Sequence, residues 1–166
     1  MGDTYVECLV AREKNIGALI LKGLVYGLAG VSMLIALLGF SLFFFVGLAL
    51  AAVGYFLCPC PDIEYEYLYL NKEMAIDKIM AKQKRKHIAT YDLTKMEKMC
   101  PANSHELDGL KNRNPKVIDY SSRKEHAKVY TIVYRDDKEE CLINIEPNEE
   151  LFKVFKQAFP RKVIEY

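Results

Sequence analysis

The chain has 166 residues, and its 23 Lys and Arg residues nearly balance its 22 Asp and Glu residues, giving a formal net charge of +1. This length fits one ordinary domain, or a membrane segment joined to a small domain of about 100 residues. The charge lacks the basic surplus that tracks a phosphate backbone, so we expect no nucleic-acid partner. Five cysteines without a cleavable secretion signal indicate a reducing compartment rather than a disulfide framework.

The first fifteen residues are expected to be a cytosolic segment. The segment alternates in part, with Val6, Cys8 and Val10 on one face of a strand. The pattern predicts a short strand between Asp3 and Ala11 that adds to the soluble domain.

A long apolar segment follows, and no charged residue or histidine occurs between Gly23 and Pro61. A single helix from Ile16 to Cys58 would be about 65 Å long, roughly twice the hydrocarbon thickness of a bilayer. Two spans fit better, at about 16–37 and 41–58, with a reversal near Gly39. The segment therefore predicts a transmembrane helical hairpin in the cell membrane.

Basic residues flank this hairpin on both sides, whereas its reversal carries none. By the positive-inside rule, both termini are expected in the cytosol. Lys22 lies near the start of the first helix, where its side chain can extend to the interface; a functional charge inside the membrane is the alternative reading. The small-residue pairs Gly23/Gly27 and Gly47/Ala51 predict close packing inside the hairpin, and a homodimer is the alternative use for them.

The soluble part, 62–166, contains short runs of tyrosine and β-branched residues separated by turn residues. About seven strands are predicted: Ile63–Leu70, Met74–Ala81, His87–Leu93, Lys95–Met99, Val117–Ser121, Lys128–Tyr134 and Glu140–Ile145. A final amphipathic helix is expected at 148–159, with Asn148 as its N-cap and Pro160 after its end. The fold class is therefore α+β: the transmembrane hairpin, then a small antiparallel β-barrel or sandwich capped by a C-terminal helix. This order of elements fits a pleckstrin-homology-like fold.

Three motifs carry a resemblance to a known group of proteins: EYEYLY at Glu64–Tyr69, IDKI at Ile76–Ile79 and KRK at Lys84–Lys86. Together with the opening MGDTYVE and the two apolar helices, they resemble an uncharacterised family of small two-helix membrane proteins from Gram-positive anaerobic bacteria. The soluble half is similar to bacterial pleckstrin-homology-like (PH-like) domains. The resemblance implies a fold and a membrane location, and it supplies no catalytic residues.

Cysteine and histidine are the side chains most able to bind a metal ion or to form a nucleophile pair. Cys58 and Cys60 form only a C-x-C pair, which is too few ligands for a typical zinc site, so interfacial packing is favoured over a thiolate or redox site. The histidines show no metal-ligand spacing, although a Ser/His or Cys/His nucleophile pair would assemble in space rather than in sequence. We expect no catalytic residue, no metal and no cofactor.

A basic run, Lys82, Lys84, Arg85 and Lys86, is the clearest candidate site. We expect it on a loop between two strands about 25 residues after the membrane, where it either contacts anionic lipid headgroups or a partner, or is a solvated turn that acts as a topology signal. The predicted function is a non-catalytic, membrane-anchored PH-like binding or scaffolding module at the cytosolic face. The alternative is an accessory or regulatory subunit of a membrane transporter or membrane enzyme, with a membrane protein as its partner.

Overall fold

A computed structural model describes residues 5–57, 62–111, 115–136 and 140–165 of the chain. The chain divides into two compact units. One is a helical pair between Lys14 and Asp62, and the other joins the N-terminal strand to the chain from Ile63 onward. The second unit is therefore discontinuous in sequence, because the helical pair is inserted after its first strand.

The helical pair consists of α1 (Ile16–Leu37) and α2 (Leu42–Phe56), which pack against each other. Asn15 caps α1, and its side chain accepts a hydrogen bond from the Ala18 N–H at 3.2 Å. Between the helices Gly39 adopts a φ of 102°, a conformation that glycine reaches without steric cost. The reversal lies where the sequence predicts it, but α2 is shorter than the predicted span 41–58; Cys58 lies outside the described residues.

Close packing inside this pair depends on the glycines of α2. An added Cβ would lie 3.1 Å from the Ala29 carbonyl oxygen at Gly47, and 3.1 Å from the Tyr26 ring at Gly54. At Gly23 and Gly27 an added Cβ would meet no described atom within 4 Å. The prediction of close packing inside the hairpin thus holds for Gly47 and is wrong for the Gly23/Gly27 pair, because these two glycines lie on a face of α1 turned away from α2.

By length and composition, α1 is able to cross a membrane. It has 22 residues, its most apolar window has a mean hydropathy of 1.9, and only 17% of that window is buried. The second helix is equally apolar but has only 15 residues, too short to pass the same test.

In the described residues of the second unit, eight strands form two four-stranded sheets. Sheet A has the order β1-β2-β3-β4 and is antiparallel throughout, whereas sheet B has the order β5-β7-β8-β6. The strands are β1 (Tyr5–Ala11), β2 (Ile63–Leu70), β3 (Glu73–Met80), β4 (Lys84–Asp92), β5 (Met96–Pro101), β6 (Lys116–Asp119), β7 (Tyr130–Arg135) and β8 (Glu140–Ile145). The helical elements of this unit are single 3₁₀ turns at Leu93–Lys95 and His105–Leu107, the short α3 (Asp108–Lys111) and α4 (Glu149–Ala158).

One strand pairing differs from the expected antiparallel arrangement. β6 runs parallel to β8, with Val117 opposite Leu142. A parallel neighbour needs a long crossover instead of a tight turn, and here the loop 120–129 together with β7 supplies it. The prediction of an all-antiparallel sheet is therefore wrong at this edge.

Tyrosines from sheet A dominate the core. Val6, Cys8 and Val10 of β1 stand opposite the buried tyrosines of β2 in the ladder: Tyr69, Tyr67 and Tyr65 respectively. The Tyr67 hydroxyl donates to the Tyr120 carbonyl at 2.7 Å and accepts from the Glu146 N–H at 3.4 Å. Burial raises the pKa of this hydroxyl well above its usual value. Its hydrogen bonds tie sheet A to the chain that follows β6 and β8.

The C-terminal helix α4 covers this core with an apolar stripe. Asn148 is its N-cap, as predicted, and accepts from the Leu151 N–H at 2.8 Å. Leu151 and Phe155 are fully buried, and Phe155 packs edge-on against Tyr69. After the helix the chain turns and a short C-terminal tail reaches β5, where Val163 forms a parallel bridge with Met99.

Candidate functional site

The basic run lies at the turn between β3 and β4, but most of it is strand. The turn is only Ala81–Gln83, with positive φ at Ala81 and Lys82, and it is closed by a hydrogen bond from the Gln83 N–H to the Met80 carbonyl at 3.2 Å. β4 already begins at Lys84, so the predictions of a loop through Lys86 and of a strand starting at His87 are wrong. The ladder continues through the basic residues because their long side chains stay exposed at the end of the sheet.

Because side chains alternate along a strand, the basic run divides between the two faces of sheet A. Lys84 and Lys86 share a face with Lys78, which stands directly opposite Lys86 in the ladder. Like charges placed directly opposite each other are unfavourable. Together with Lys82 in the turn, these residues form what we call the lysine cluster: Lys78, Lys82, Lys84 and Lys86. Within the described part of the chain, none of the four has an ion-pair partner.

Lys78 was not among the predicted site residues. The sequence alone does not assign Lys78 to the lysine cluster, because it lies four residues before the basic run. Only the hairpin pairing brings its side chain next to Lys86.

Arg85 points to the opposite face and is engaged there. Its Nη2 donates to Glu66 Oε1 at 2.9 Å and lies 2.7 Å from Glu66 Oε2, while its Nε is 4.0 Å from Asp77 Oδ2. Glu66 and Asp77 are cross-strand neighbours, and each is only 8% exposed. Arg85 therefore compensates two nearly buried carboxylates, whose repulsion it offsets.

His87, two residues after Arg85 on β4, also contacts Asp77. Its Nδ1 is 2.8 Å from Asp77 Oδ1, and its Nε2 is 3.2 Å from Thr90 Oγ1. An Asp–His–Thr chain of this kind can orient a hydroxyl nucleophile, but catalysis also needs preorganised donors in a water-excluded site. His87 is largely exposed on the open face of sheet A, and the clefts beside β1, β7 and α4 are lined by other side chains. His87 contacts the same carboxylate as Arg85, so this chain adjoins the Arg85 ion pairs on one face of sheet A.

The end of sheet A that carries the lysine cluster is also where the chain leaves for the helical pair and returns from it. Ala11 at the end of β1 stands opposite Glu64, and Ile63 at the start of β2 stands opposite Met80, the last residue of β3. Beyond β1, Arg12 donates to the Tyr65 hydroxyl at 2.9 Å. The lysine cluster and both connections to the helices thus share one end of the sheet.

The described cysteines and the remaining histidines are not grouped into a metal site. Cys58 and Cys60 lie outside the described residues, so their predicted packing role stays a prediction. Cys8 is buried, and its Sγ lies 3.8 Å from the Glu146 carbonyl oxygen. Burial raises the pKa of its thiol, which disfavours the thiolate. Across residues 5–57, 62–111, 115–136 and 140–165, no three His, Cys, Asp or Glu side chains are grouped to hold a metal ion.

A second surface feature is an open cleft of about 540 Å³ beside α4. The Phe152 ring lies 4.8 Å from the Tyr130 ring, and both line this cleft. Side chains of both positive and negative charge also line it: Lys128, Lys153, Lys156, Glu149 and Glu165. The mixed charge gives it no clear preference for anions or cations.

Comparison with known proteins identifies the fold family. The family model of the bacterial PH-like domain, DUF6106, matches residues 2–165 and so extends through the helical pair as well as the sheets. None of the curated proteins and none of the solved structures compared with the chain matches it. The two sheets closed by a C-terminal helix agree with this assignment, and the chain belongs to the bacterial PH-like domain family of unknown function.

Proposed function

We propose that the protein is a non-catalytic binding module anchored in the cell membrane, with its PH-like unit held against anionic lipid headgroups at the cytosolic face. The observation that carries this proposal is the lysine cluster. Four lysines without described ion-pair partners, two of them directly opposed, occupy the end of sheet A from which the chain enters and leaves the apolar helices.

The anchor in this proposal is the helical pair, crossing the bilayer twice. Large apolar side chains are exposed along both helices, as lipid-facing residues would be: Leu34, Leu37 and Leu38 near the reversal and Phe45 and Phe56 in α2 are each more than 60% exposed. α2 spans about 22 Å, shorter than a hydrocarbon core of ~30 Å, so the second crossing requires local thinning of the bilayer. The absence of charge in the reversal and the basic residues on either side favour cytosolic termini.

The chain that joins the end of β1 to the start of α1 is short. Ala11 and Ile16 are five residues apart, a distance of at most about 17 Å in extended chain. Each lysine near an anionic leaflet contributes about 1 kcal/mol, an attraction that falls off over a Debye length of about 8–10 Å. The proposed headgroup contacts are therefore Lys82, Lys84 and Lys86 together with Lys78. Arg85 is reassigned from the predicted contact set to a structural role, because its guanidinium is held by Glu66.

Membrane topology is tested with reporter fusions in a bacterial host. Alkaline phosphatase, which is active only outside the cytosol, is placed after Gly39 in one fusion and after Glu165 in another. We expect activity from the first fusion and none from the second, with both proteins retained in carbonate-washed membranes. As a control, Leu28→Arg near the middle of α1 should lower the activity of the Gly39 fusion, because a charge at the centre of a helix disfavours its crossing. Release of the full chain by carbonate, or activity from the Glu165 fusion, contradicts the anchor.

Headgroup contact is tested with the full chain in nanodiscs. The protein contains no tryptophan, so Gln83→Trp places a single fluorophore in the β3–β4 turn. We expect a blue shift of its emission in anionic relative to zwitterionic nanodiscs, reversed by salt and lost when the lysine cluster is changed to glutamine. A matched reporter, Gln157→Trp on α4, should not respond. Emission that is independent of lipid charge contradicts headgroup contact while leaving the anchor intact.

The alternative is an accessory subunit of a membrane transporter or enzyme, and one observation favours it. Gly23, Gly27 and Gly30 leave open space on a face of α1 that packs on no described residue, and small residues allow close approach of another membrane helix. A stoichiometric membrane protein that co-purifies with the chain and is lost with Gly27→Leu would favour this alternative.

A further inference from the structure

Three edge strands of the two described sheets, β4, β5 and β6, are protected from further pairing in different ways. Exposed strand edges recruit other strands, and proteins protect them with charge, bulges, short length or covering segments. β4 has basic residues and an irregularity in its pairing with β3 opposite Asp77, and β6 has only four residues. β5 is different, because its edge is covered by a segment of the chain itself.

The C-terminal tail, residues 161–165, contacts the edge of β5 through one isolated parallel bridge, between Val163 and Met99. The Met99 N–H donates to the Lys162 carbonyl at 2.7 Å, and the Ile164 N–H donates to the Met99 carbonyl at 2.8 Å. One residue of β5 thus uses both of its main-chain groups to hold the tail. Only this single bridge is formed, so the pairing is much shorter than any ladder in sheet A.

Side chains of the tail add selectivity to this pairing. Lys162 Nζ donates to the carbonyls of Thr94 and Met96 at 3.0 and 2.6 Å, at the start of β5. Val163 packs against the core, whereas Glu165 makes a surface ion pair with Lys156. The site therefore fits an extended segment in which a cation directly precedes a β-branched residue.

We propose that the β5 edge is a peptide-binding edge, and that the tail occupies it until an extended segment of a partner protein, with Lys or Arg before Val or Ile, replaces it. Main-chain pairing would supply affinity, and the carbonyls of Thr94 and Met96 would select the basic residue. Because the tail is tethered, its effective concentration is in the millimolar range, and a free segment of the same sequence competes poorly with it. In the intact protein, the tail therefore prevents weakly binding segments from pairing with β5.

The test uses the purified full-length chain in detergent and a labelled synthetic peptide of residues 160–166. A variant ending at Pro160 should bind this peptide saturably, at least tenfold more tightly than the intact chain does. The peptide carrying Lys162→Glu, and a scrambled peptide, should bind at least tenfold more weakly than the native sequence. Failure of a folded truncated variant to bind, or equal binding of the scrambled peptide, overturns the proposal.

A second variant covers the case in which truncation impairs folding. Full-length Lys162→Ala/Val163→Asp keeps α4 and Pro160 but weakens the tail contacts, so it should bind the native peptide as the truncated chain does. Lys153→Ala, on the exposed side of α4, is the matched control and should bind the peptide as weakly as the intact chain does. Concentration-dependent dimers of the intact chain that dissociate when the peptide is added would instead assign the edge to tail exchange between copies, and would overturn the proposal of a distinct partner.

Discussion

A chain that begins at Asp62 should show no cooperative unfolding transition, although the segment from Asp62 onward contains all seven strands predicted for the soluble half. The missing element is β1, which pairs with β2 over seven residues and buries Val6, Cys8 and Val10 against the tyrosine-rich core. Burial of each valine side chain contributes about 1.5–3 kcal/mol. The total loss is comparable to the whole stability of a small domain, about 5–15 kcal/mol.

The matched control restores β1 without the helices. Arg12 continues the ladder beyond Ala11, because its N–H donates to the Ile63 carbonyl at 2.9 Å. A variant in which an Asn-Gly turn joins Glu13 to Asp62 should therefore close a hairpin between β1 and β2. We expect this variant to unfold cooperatively in urea, as monitored by circular dichroism. A cooperative transition in the chain that begins at Asp62 would contradict the role assigned to β1.

Arg85→Ala should destabilise the protein by about 2 kcal/mol, because it removes a charge-assisted hydrogen bond and leaves the nearly buried Glu66 without its ion-pair partner. This loss of stability is smaller than the usual cost of breaking a fully buried pair, because the Arg85 side chain is 56% exposed. Urea unfolding of the full chain in detergent measures the effect as a shift of the midpoint.

The neighbouring Lys86→Ala is the control for Arg85→Ala. It removes a charge of the same sign one residue away, but Lys86 stands opposite Lys78 on the other face and has no described ion-pair partner. Its expected effect on stability is within about 0.5 kcal/mol. In anionic nanodiscs the order should reverse, with Lys86→Ala weakening headgroup contact more than the conservative Arg85→Lys. Equal destabilisation by Arg85→Ala and Lys86→Ala would show that the ion pair with Glu66 contributes nothing.

Elements with a strong local pattern were predictable from the sequence. The reversal near Gly39, the seven strands after Asp62 and the helix capped by Asn148 are all present. Each is signalled by neighbouring residues alone: a charge-free apolar run, a period of two, or a period near 3.6 with a capping residue. Ladder ends were less predictable, since basic residues at Lys84–Lys86 are compatible with either a loop or an exposed strand.

The candidate site depended on pairings between distant segments. The sequence places Lys84, Arg85 and Lys86 in one run, but the β3–β4 register sends Arg85 to Glu66 and sets Lys86 beside Lys78. The open face at Gly23 and Gly27 likewise depends on which side of α1 meets α2.

The sequence by itself determined an apolar helical pair, a strand-rich region from Asp62 onward with a basic run between two of its strands, and a final helix. Only the tertiary structure decided that the predicted N-terminal strand pairs with β2, that β6 pairs in parallel with β8, that the basic run divides between two faces and that the tail contacts the edge of β5. The physical reason is that periodicity and capping act within a few residues, whereas register, strand order and ion pairing are set by the mutual burial of segments up to about 140 residues apart, as between Cys8 and Glu146.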